Sequence, residues 1–388
     1  MVEERIELVD GLRGYALLGL FLVHCVERFE LYWLNPQPDA WFDAVFAISS
    51  GKAFSIFALL FGFGFATIMA NARARGEDFA WRFGWRLMLL FVIGTVHALI
   101  YRGDILQVLA LVGMVMIPFE RLRSDRALLV IAALLFFQFP LLLRAWLAAQ
   151  GVAWAAAPPL FWGDSGLAVL ASGSLAEVLA VNAGPGMFGK WSFYVETGRM
   201  LAIAGLFLVG MVLHRQRLFA DAAKRRSHWL AILFGGLGIW ALARIAESLI
   251  LPWDGAQMTG ESLTTSLAQY RAIGATAFQV ALFVLLWQTP VRGLLALLVP
   301  AGRMTLTLYV GQSLVFVPII YGFGWALWDQ LSNAELVLLG LLAFAAQIAL
   351  AAPWFRHFRY GPLEWLWRVG TRTTLAIPIR LGSAKTPA

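Results

Sequence analysis

A chain of 388 residues that is 60% hydrophobic and only 14% charged, with a mean hydropathy of +0.74, carries too much apolar surface to close as a soluble domain. Its formal net charge of +7 and pI near 9.8 come from basic residues held in short clusters between apolar runs, the positive-inside pattern of a membrane protein and not a nucleic-acid stripe. The single cysteine, Cys25, excludes an intrachain disulfide and a cysteine zinc site, and no metal is expected.

Apolar runs of about twenty residues, each long enough for roughly 30 Å of hydrocarbon, recur along the whole chain. They are continuous and not alternating, which points away from strands. The expected fold is therefore all-α: one polytopic membrane helix bundle over residues 1–388, with about ten transmembrane helices. The predicted spans are 11–33, 52–71, 84–101, 104–119, 126–149, 198–214, 229–250, 271–289, 301–320 and 334–353. The leader Glu3-Glu4-Arg5-Ile6-Glu7 lacks the basic character of a cleavable signal, so the first span is expected to stay as an anchor.

Basic residues test this order. Arg73, Arg75, Arg82 and Arg86 follow the second span; Arg121, Arg123 and Arg126 follow the fourth; a cluster from Arg215 to Arg226 follows the sixth. Arg292 and Arg303 bracket the turn after the eighth, and Arg356 to Lys385 follow the tenth. The odd-numbered exits hold little Lys or Arg: only Lys190 in 150–197, and none in 251–270 or 322–333. This alternation predicts that both termini are cytoplasmic. Segment 150–197, rich in Gly, Ala, Pro and Trp, is expected outside as a lid or site wall, with Ser174 and Glu177 as the capping box of a short helix. A second external segment, 252–270, is expected to join it as a cap over an outward cavity. Residues 356–388 read as a cytoplasmic interfacial tail, in which Trp365, Trp367 and Arg368 suit an amphipathic helix at the headgroups.

Ionisable residues within the spans are the candidates for function. Arg13 and His24 stand eleven positions apart in the first span, almost three full turns, so both project from one face roughly 16 Å apart. Arg13, near the cytoplasmic end, either snorkels with Asp10 as its partner or holds an anionic group such as a coenzyme phosphate. His24 sits deeper and either hydrogen-bonds across helices or serves as a general base. Asp104 is an N-cap of the fourth span, or reaches back to orient His97. Lys52 opens the second span; Glu196 with Arg199, and Arg244 with Glu247, are charged pairs one turn apart. Thr305, Tyr309, Gln312 and Ser313 form a polar stripe in the ninth span, behind Arg303.

With these residues in view, the chain resembles the YeiB-like family of bacterial inner-membrane proteins, a family of unknown function. The likeness rests on Arg5-Ile6-Glu7-Leu8-Val9-Asp10-Gly11-Leu12-Arg13-Gly14, on Phe57-Ala58-Leu59-Leu60-Phe61-Gly62, on His97 with Gly103-Asp104-Ile105-Leu106, on Gly302-Arg303-Met304-Thr305-Leu306-Thr307, and on Gly361-Pro362-Leu363-Glu364-Trp365. That family is similar to a wider group of transmembrane acyltransferases with a ten-helix core and an Arg-x10-His pattern on the first helix, which Arg13 and His24 match. The resemblance implies an integral inner-membrane acyltransferase that takes an acyl group from cytoplasmic acyl-CoA and delivers it to a hydroxyl or amine of a small-molecule, glycan or lipid acceptor outside. On that view Asp10, Arg13 and Arg303 hold the acyl-CoA. His24, with His97 and Asp104, carries the chemistry, and Lys52, Glu196, Arg199, Arg244, Glu247, Tyr309 and Gln312 contact the acceptor. YeiB-like sequences commonly place an asparagine where this chain has His24, and another polar asparagine where it has Leu308. A transporter or lipid-handling protein without acyl chemistry is the rival, motivated by Arg244, Glu247 and His97. Membrane lipids are the expected partners, a homodimer is kept open as the assembly, and nucleic acid is not expected.

Overall fold

The computed structural model describes residues 5–77, 79–250 and 255–382. The main helices are α1 (Glu7–Val26), α2 (Ala40–Ile48), α3 (Ala53–Ala74), α4 (Ala80–Ile100), α5 (Leu106–Met116), α6 (Asp125–Phe136), α7 (Phe139–Ala149), α8 (Leu175–Ala183), α9 (Pro185–Glu196), α10 (Arg199–Arg215), α11 (Arg226–Ile250), α12 (Gln257–Leu286), α13 (Thr305–Ile320), α14 (Asn333–His357) and α15 (Pro362–Arg372). Among the described residues there is no strand beyond an isolated antiparallel bridge between Phe358 and Arg380.

α1 runs through the middle. Leu12, Leu17 and Phe21 on it are wholly buried, because α3, α14 and the turns of the 292–303 segment surround it. Its approach to that segment is backbone against backbone: a Cβ at Gly302 would overlap the carbonyl of Asp10. The same device joins α3 to α10, where a side chain at Gly62 would strike the Phe207 carbonyl and one at Gly210 the Leu59 carbonyl. In hydrocarbon, where apolar surface gains little by leaving lipid for protein, such close backbone contact supplies the dispersion energy that holds helices together. α11 and α12 pack on each other as a flank, and the outward face of α11 shows Phe234, Leu242 and Leu249, more than three-fifths exposed, as expected of a lipid-facing surface.

By length and composition, seven helices among the described residues can cross a membrane, or nine if each of two sharply bent pairs counts as one span. The chain is thus a multi-pass membrane protein, with fewer qualifying spans than the ten expected. The shortfall lies in the predicted span 104–119, where α5 has only 11 residues and passes into a 3₁₀ turn at Ile117-Pro118, too short for the hydrocarbon on its own. Three other expectations change. The span 126–149 breaks at Gln138, which takes φ 56° between α6 and α7. The predicted external segment 252–270 is largely the first half of the 30-residue α12; residues 252–254 of it lie outside the described residues. The ninth span is bent by 78° between the 292–303 segment and Thr305.

That last bend is repaired from the far end of the chain. Glu364 of α15 accepts hydrogen bonds from the Leu306 N–H (2.7 Å), the Thr307 N–H (3.2 Å) and the Thr307 hydroxyl (2.6 Å), satisfying the N-terminal donors of α13 that its own sequence leaves open. α15 is an amphipathic helix, as predicted, and it is docked on the bundle: Trp367 Nε1 donates to the Arg86 carbonyl (2.8 Å). The capping box at Ser174 is also present, and its backbone and hydroxyl hydrogen bonds hold the Glu177 carboxyl below the usual range.

Replacing Gly210 by valine is expected to force α3 and α10 apart at a cost of about 3 kcal/mol or more, whereas Gly238→Val, where an added Cβ meets no neighbouring element within 4 Å, is expected to be neutral. Size-exclusion profile and melting temperature of the two purified variants check this; equal behaviour would contradict the packing described.

Candidate functional site

α1 ends in an unusual turn. Arg28, Phe29 and Glu30 all take positive φ (50°, 49° and 85°), a conformation that costs a residue with a side chain about 1–3 kcal/mol. Three sets of contacts impose it. The Arg28 guanidinium donates to the Val26 and Leu331 carbonyls and to Asn333 Oδ1 (2.9 Å). The Tyr321 hydroxyl donates to the Phe29 carbonyl (2.8 Å), while the Phe29 ring is wholly buried against Tyr101. Glu30 pairs with Arg102, which also donates to the Ser165 hydroxyl (3.2 Å) and carbonyl. The turn folds the chain over the end of α1 and leaves His24, Glu27 and Glu30 facing one space.

That space is a cavity of about 660 Å³. It lies between the end of α1, the start of α3, the 101–105 turn, α9 and the start of α10, at the end of the bundle opposite the basic clusters. Trp33, Phe54, Tyr101, Trp162, Phe193 and Tyr194 give it aromatic walls, and His24, Glu27, Glu30, Arg102, Lys190 and Arg199 give it ionisable ones. His24 is 5% exposed, with its ring edge-on to Tyr101 (centroids 4.9 Å apart) and 6.2 Å from Tyr309.

Behind Tyr101 and Tyr309 lies a second, wholly buried group. His97 Nδ1 and Asp104 Oδ2 are 2.7 Å apart. Asp104 Oδ1 accepts the Gln107 N–H (3.1 Å) in the first turn of α5, so one carboxylate oxygen serves the start of the helix, whose N-cap position is Ile105, and the other holds His97. Lys190 Nζ stands 3.8 Å from Asp104 Oδ1 and donates to Gln107 Oε1 (2.6 Å), whose amide donates in turn to Thr95 Oγ1 (2.9 Å). The other ring nitrogen of His97, Nε2, is buried with no hydrogen-bond partner among the described residues. The His97 ring lies 5.3 Å from that of Tyr309, whose hydroxyl accepts the Ile105 N–H (3.2 Å).

The structure thus gathers His24, His97, Asp104, Arg199 and Tyr309 in one region and disperses the other candidates. Arg13 donates to Asp10 (3.1 Å) at the far end of α1, beside Arg5, and does not line this cavity. Arg303 lies at the same end, stacked on Phe355. Lys52 is capped by the Phe46 carbonyl (3.1 Å). Glu196 turns away from Arg199 to Arg144 (3.6 Å) and the Phe161 N–H (3.3 Å), while the Arg199 guanidinium sits 4.5 Å from the Phe193 ring centroid. Arg244 and Arg271 both bind Glu247 on the α11–α12 flank, and Gln312 donates to Gln347 (3.0 Å). Sequence reasoning passed over Glu27, Glu30, Arg102 and Lys190. Glu27 and Glu30 follow His24 at steps of three, and Lys190 is the lone basic residue of the otherwise uncharged-to-acidic segment 150–197, so both signals were present.

Breaking the Lys190–Asp104 contact strands a buried charge, so Asp104→Asn and Lys190→Met are each expected to destabilise the fold by about 3–5 kcal/mol. The double variant is expected to lose at least 1 kcal/mol less than the sum. Denaturation of the three purified proteins checks this, and strict additivity would show that the two groups do not interact.

Two family models match this chain. Residues 5–163, which hold His24, His97 and Asp104, match "Heparan-alpha-glucosaminide N-acetyltransferase, catalytic", and residues 213–374 match "Protein of unknown function (DUF418)". Among curated proteins, the uncharacterized protein YxaH of Bacillus subtilis (strain 168) is 29% identical over 96% of this chain and 95% of its own length. The uncharacterized protein YeiB of Escherichia coli (strain K12) is 29% identical over 94% and 96%. An uncharacterized 39.9 kDa protein in the amylase 3′ region of Bacillus acidopullulyticus is 24% identical over 95% and 94%. Along nearly its whole length the chain is similar to YxaH and YeiB, with residues 5–163 matching the acetyltransferase catalytic model and residues 213–374 matching DUF418.

Proposed function

We propose that this protein is an integral membrane acyltransferase of the bacterial inner membrane, moving an acyl group from acyl-CoA on the cytoplasmic side to a hydroxyl or amine acceptor in the aromatic-walled cavity on the outside. The observation that carries it is the placement of the His24 imidazole on the wall of that cavity, backed by the buried His97–Asp104 pair, within the half of the chain that matches an acetyltransferase catalytic model. The basic clusters mark the cytoplasmic end and both termini under this reading.

His24 takes the proton of the acceptor O–H or N–H as that atom attacks the acyl carbonyl. The carbon–sulfur bond of the thioester then breaks, and the thiolate leaves and is protonated. His97, with Nδ1 committed to Asp104, is a positioning residue: its ring and that of Tyr309 fix the surroundings of His24. The aromatic walls exclude water and hold the acceptor, so most of the acceleration comes from orientation, and base catalysis by His24 adds about 10²- to 10⁴-fold.

The expected outcome for purified His24→Ala is a loss of about 10²-fold or more in thiol release from acetyl-CoA, with unchanged melting temperature. Thiol release equal to that of the wild type would rule out the proposed chemistry, and tight lipid retention with no thiol release from either protein would favour a lipid-handling role.

A further inference from the structure

The basic end of the bundle holds a second cavity, of about 560 Å³, set between the last turns of α3 and α10 and the loop from α5 to α6. Its lining has two zones. Ala66, Met69, Ala70 and Met211 make an apolar floor, and Arg73, Arg121, Arg123 and Arg215 surround the rim with Glu120 as the one carboxylate. We infer that this cavity binds an amphipathic phosphoester, its phosphate held by Arg121 and Arg123 and its apolar arm laid on the floor.

The guanidiniums differ in what they have left to give. Arg215 is spent on architecture: it donates to the Leu122 carbonyl (2.7 Å) and the Glu120 carbonyl (3.1 Å) and pairs with Asp125 (3.4 Å), and so pins the loop that carries the other two. Arg73 pairs with Glu120. Arg121 and Arg123 are exposed on that pinned loop, facing a cavity whose lining holds four guanidiniums to one carboxylate. Even with Asp125 counted from just outside, two positive charges are uncompensated. A scattered positive-inside cluster needs no concavity and no apolar floor; a loop held rigid by three contacts from one arginine, over a floor of small and flexible side chains, has the form of a binding site for an anionic phosphate attached to an apolar group. Such a group is found in a phospholipid headgroup and in the phosphate-bearing end of a coenzyme thioester.

The site also has a definite relation to the outer cavity. α3 contributes Phe54 to the outer cavity and Ala66 to this one, and α10 contributes Arg199 and Met211; each pair is twelve residues apart, about 18 Å along the helix. The two chambers therefore lie at opposite ends of the same two helices, divided by their glycine contacts. The inference stands apart from acyl transfer, because it is read by binding and not by turnover.

Its test uses the whole protein in nanodiscs with two probes. Adenosine 3′,5′-bisphosphate represents the soluble phosphate, and phosphatidylglycerol mixed into a phosphatidylcholine bilayer represents the headgroup, the first followed by calorimetry and the second by mass spectrometry of retained lipid. For at least one probe, Arg121→Gln with Arg123→Gln is expected to weaken binding about tenfold or more, and Ala70→Trp, which fills the floor and leaves the charge alone, is expected to do the same. Arg126→Gln, outside the lining, is expected to leave it unchanged. The probe that responds identifies the source of the phosphate. Binding of both probes that is unaltered by the double substitution and by Ala70→Trp, or lost equally on Arg126→Gln, would overturn the assignment, as would the absence of binding of either probe to the wild type.

Discussion

The backbone contact of α3 with α10, at Gly62 against Phe207 and Gly210 against Leu59, is the constraint from which the rest of this molecule follows. No side chain fits between the two helices there, so no solvent passes between them at that level. A chamber lies at either end of this dry seam, with Phe54 and Arg199 lining one and Ala66 and Met211 the other. α1 is fixed to the same frame by its own backbone contact at Gly302, which sets how far His24 reaches towards the outer chamber.

The two chambers differ in chemistry. The His24 chamber offers aromatic faces, carboxylates and cations in close company, and an imidazole whose neighbours are locked by buried hydrogen bonds. The inner one offers guanidiniums and an apolar floor. The strained turn Arg28–Phe29–Glu30 belongs to the outer chamber alone, and its cost is met by buried contacts from α13, α14 and the 101–105 turn. Strain kept in place by so many partners is typical of a region where geometry matters for function.

Much of this was legible in the sequence. Hydropathy and the alternating basic clusters located nearly every long helix, because length and charge are the properties that a bilayer selects. The Arg13–His24 spacing placed both on α1, and the short Tyr101–Gly103 turn made Asp104 either a helix cap or a partner of His97, a choice that only the fold decides. What could not be read was tertiary. Nothing local in residues 104–119 marks α5 as buried and short, since its apolar run is as hydrophobic as a true span; nothing in Arg28–Glu30 announces positive φ, because it is forced by residues some 300 positions away. Lys190 reads as a loop lysine until α9 folds back and buries it beside Asp104. Arg13 and His24 share a face in sequence, yet at opposite ends of a helix they meet different surroundings, and the cationic chamber proves to be lined by arginines of other elements.

The central claim is directional: acyl donor at the basic face, chemistry at the His24 chamber. It is tested most directly by supplying acetyl-CoA labelled in its acetyl group to membrane vesicles of each orientation from cells producing the protein. Thiol release is predicted in inverted vesicles, where the basic face is accessible, and not in right-side-out vesicles. Release confined to right-side-out vesicles, or equal in both when the vesicles are sealed, would contradict the account.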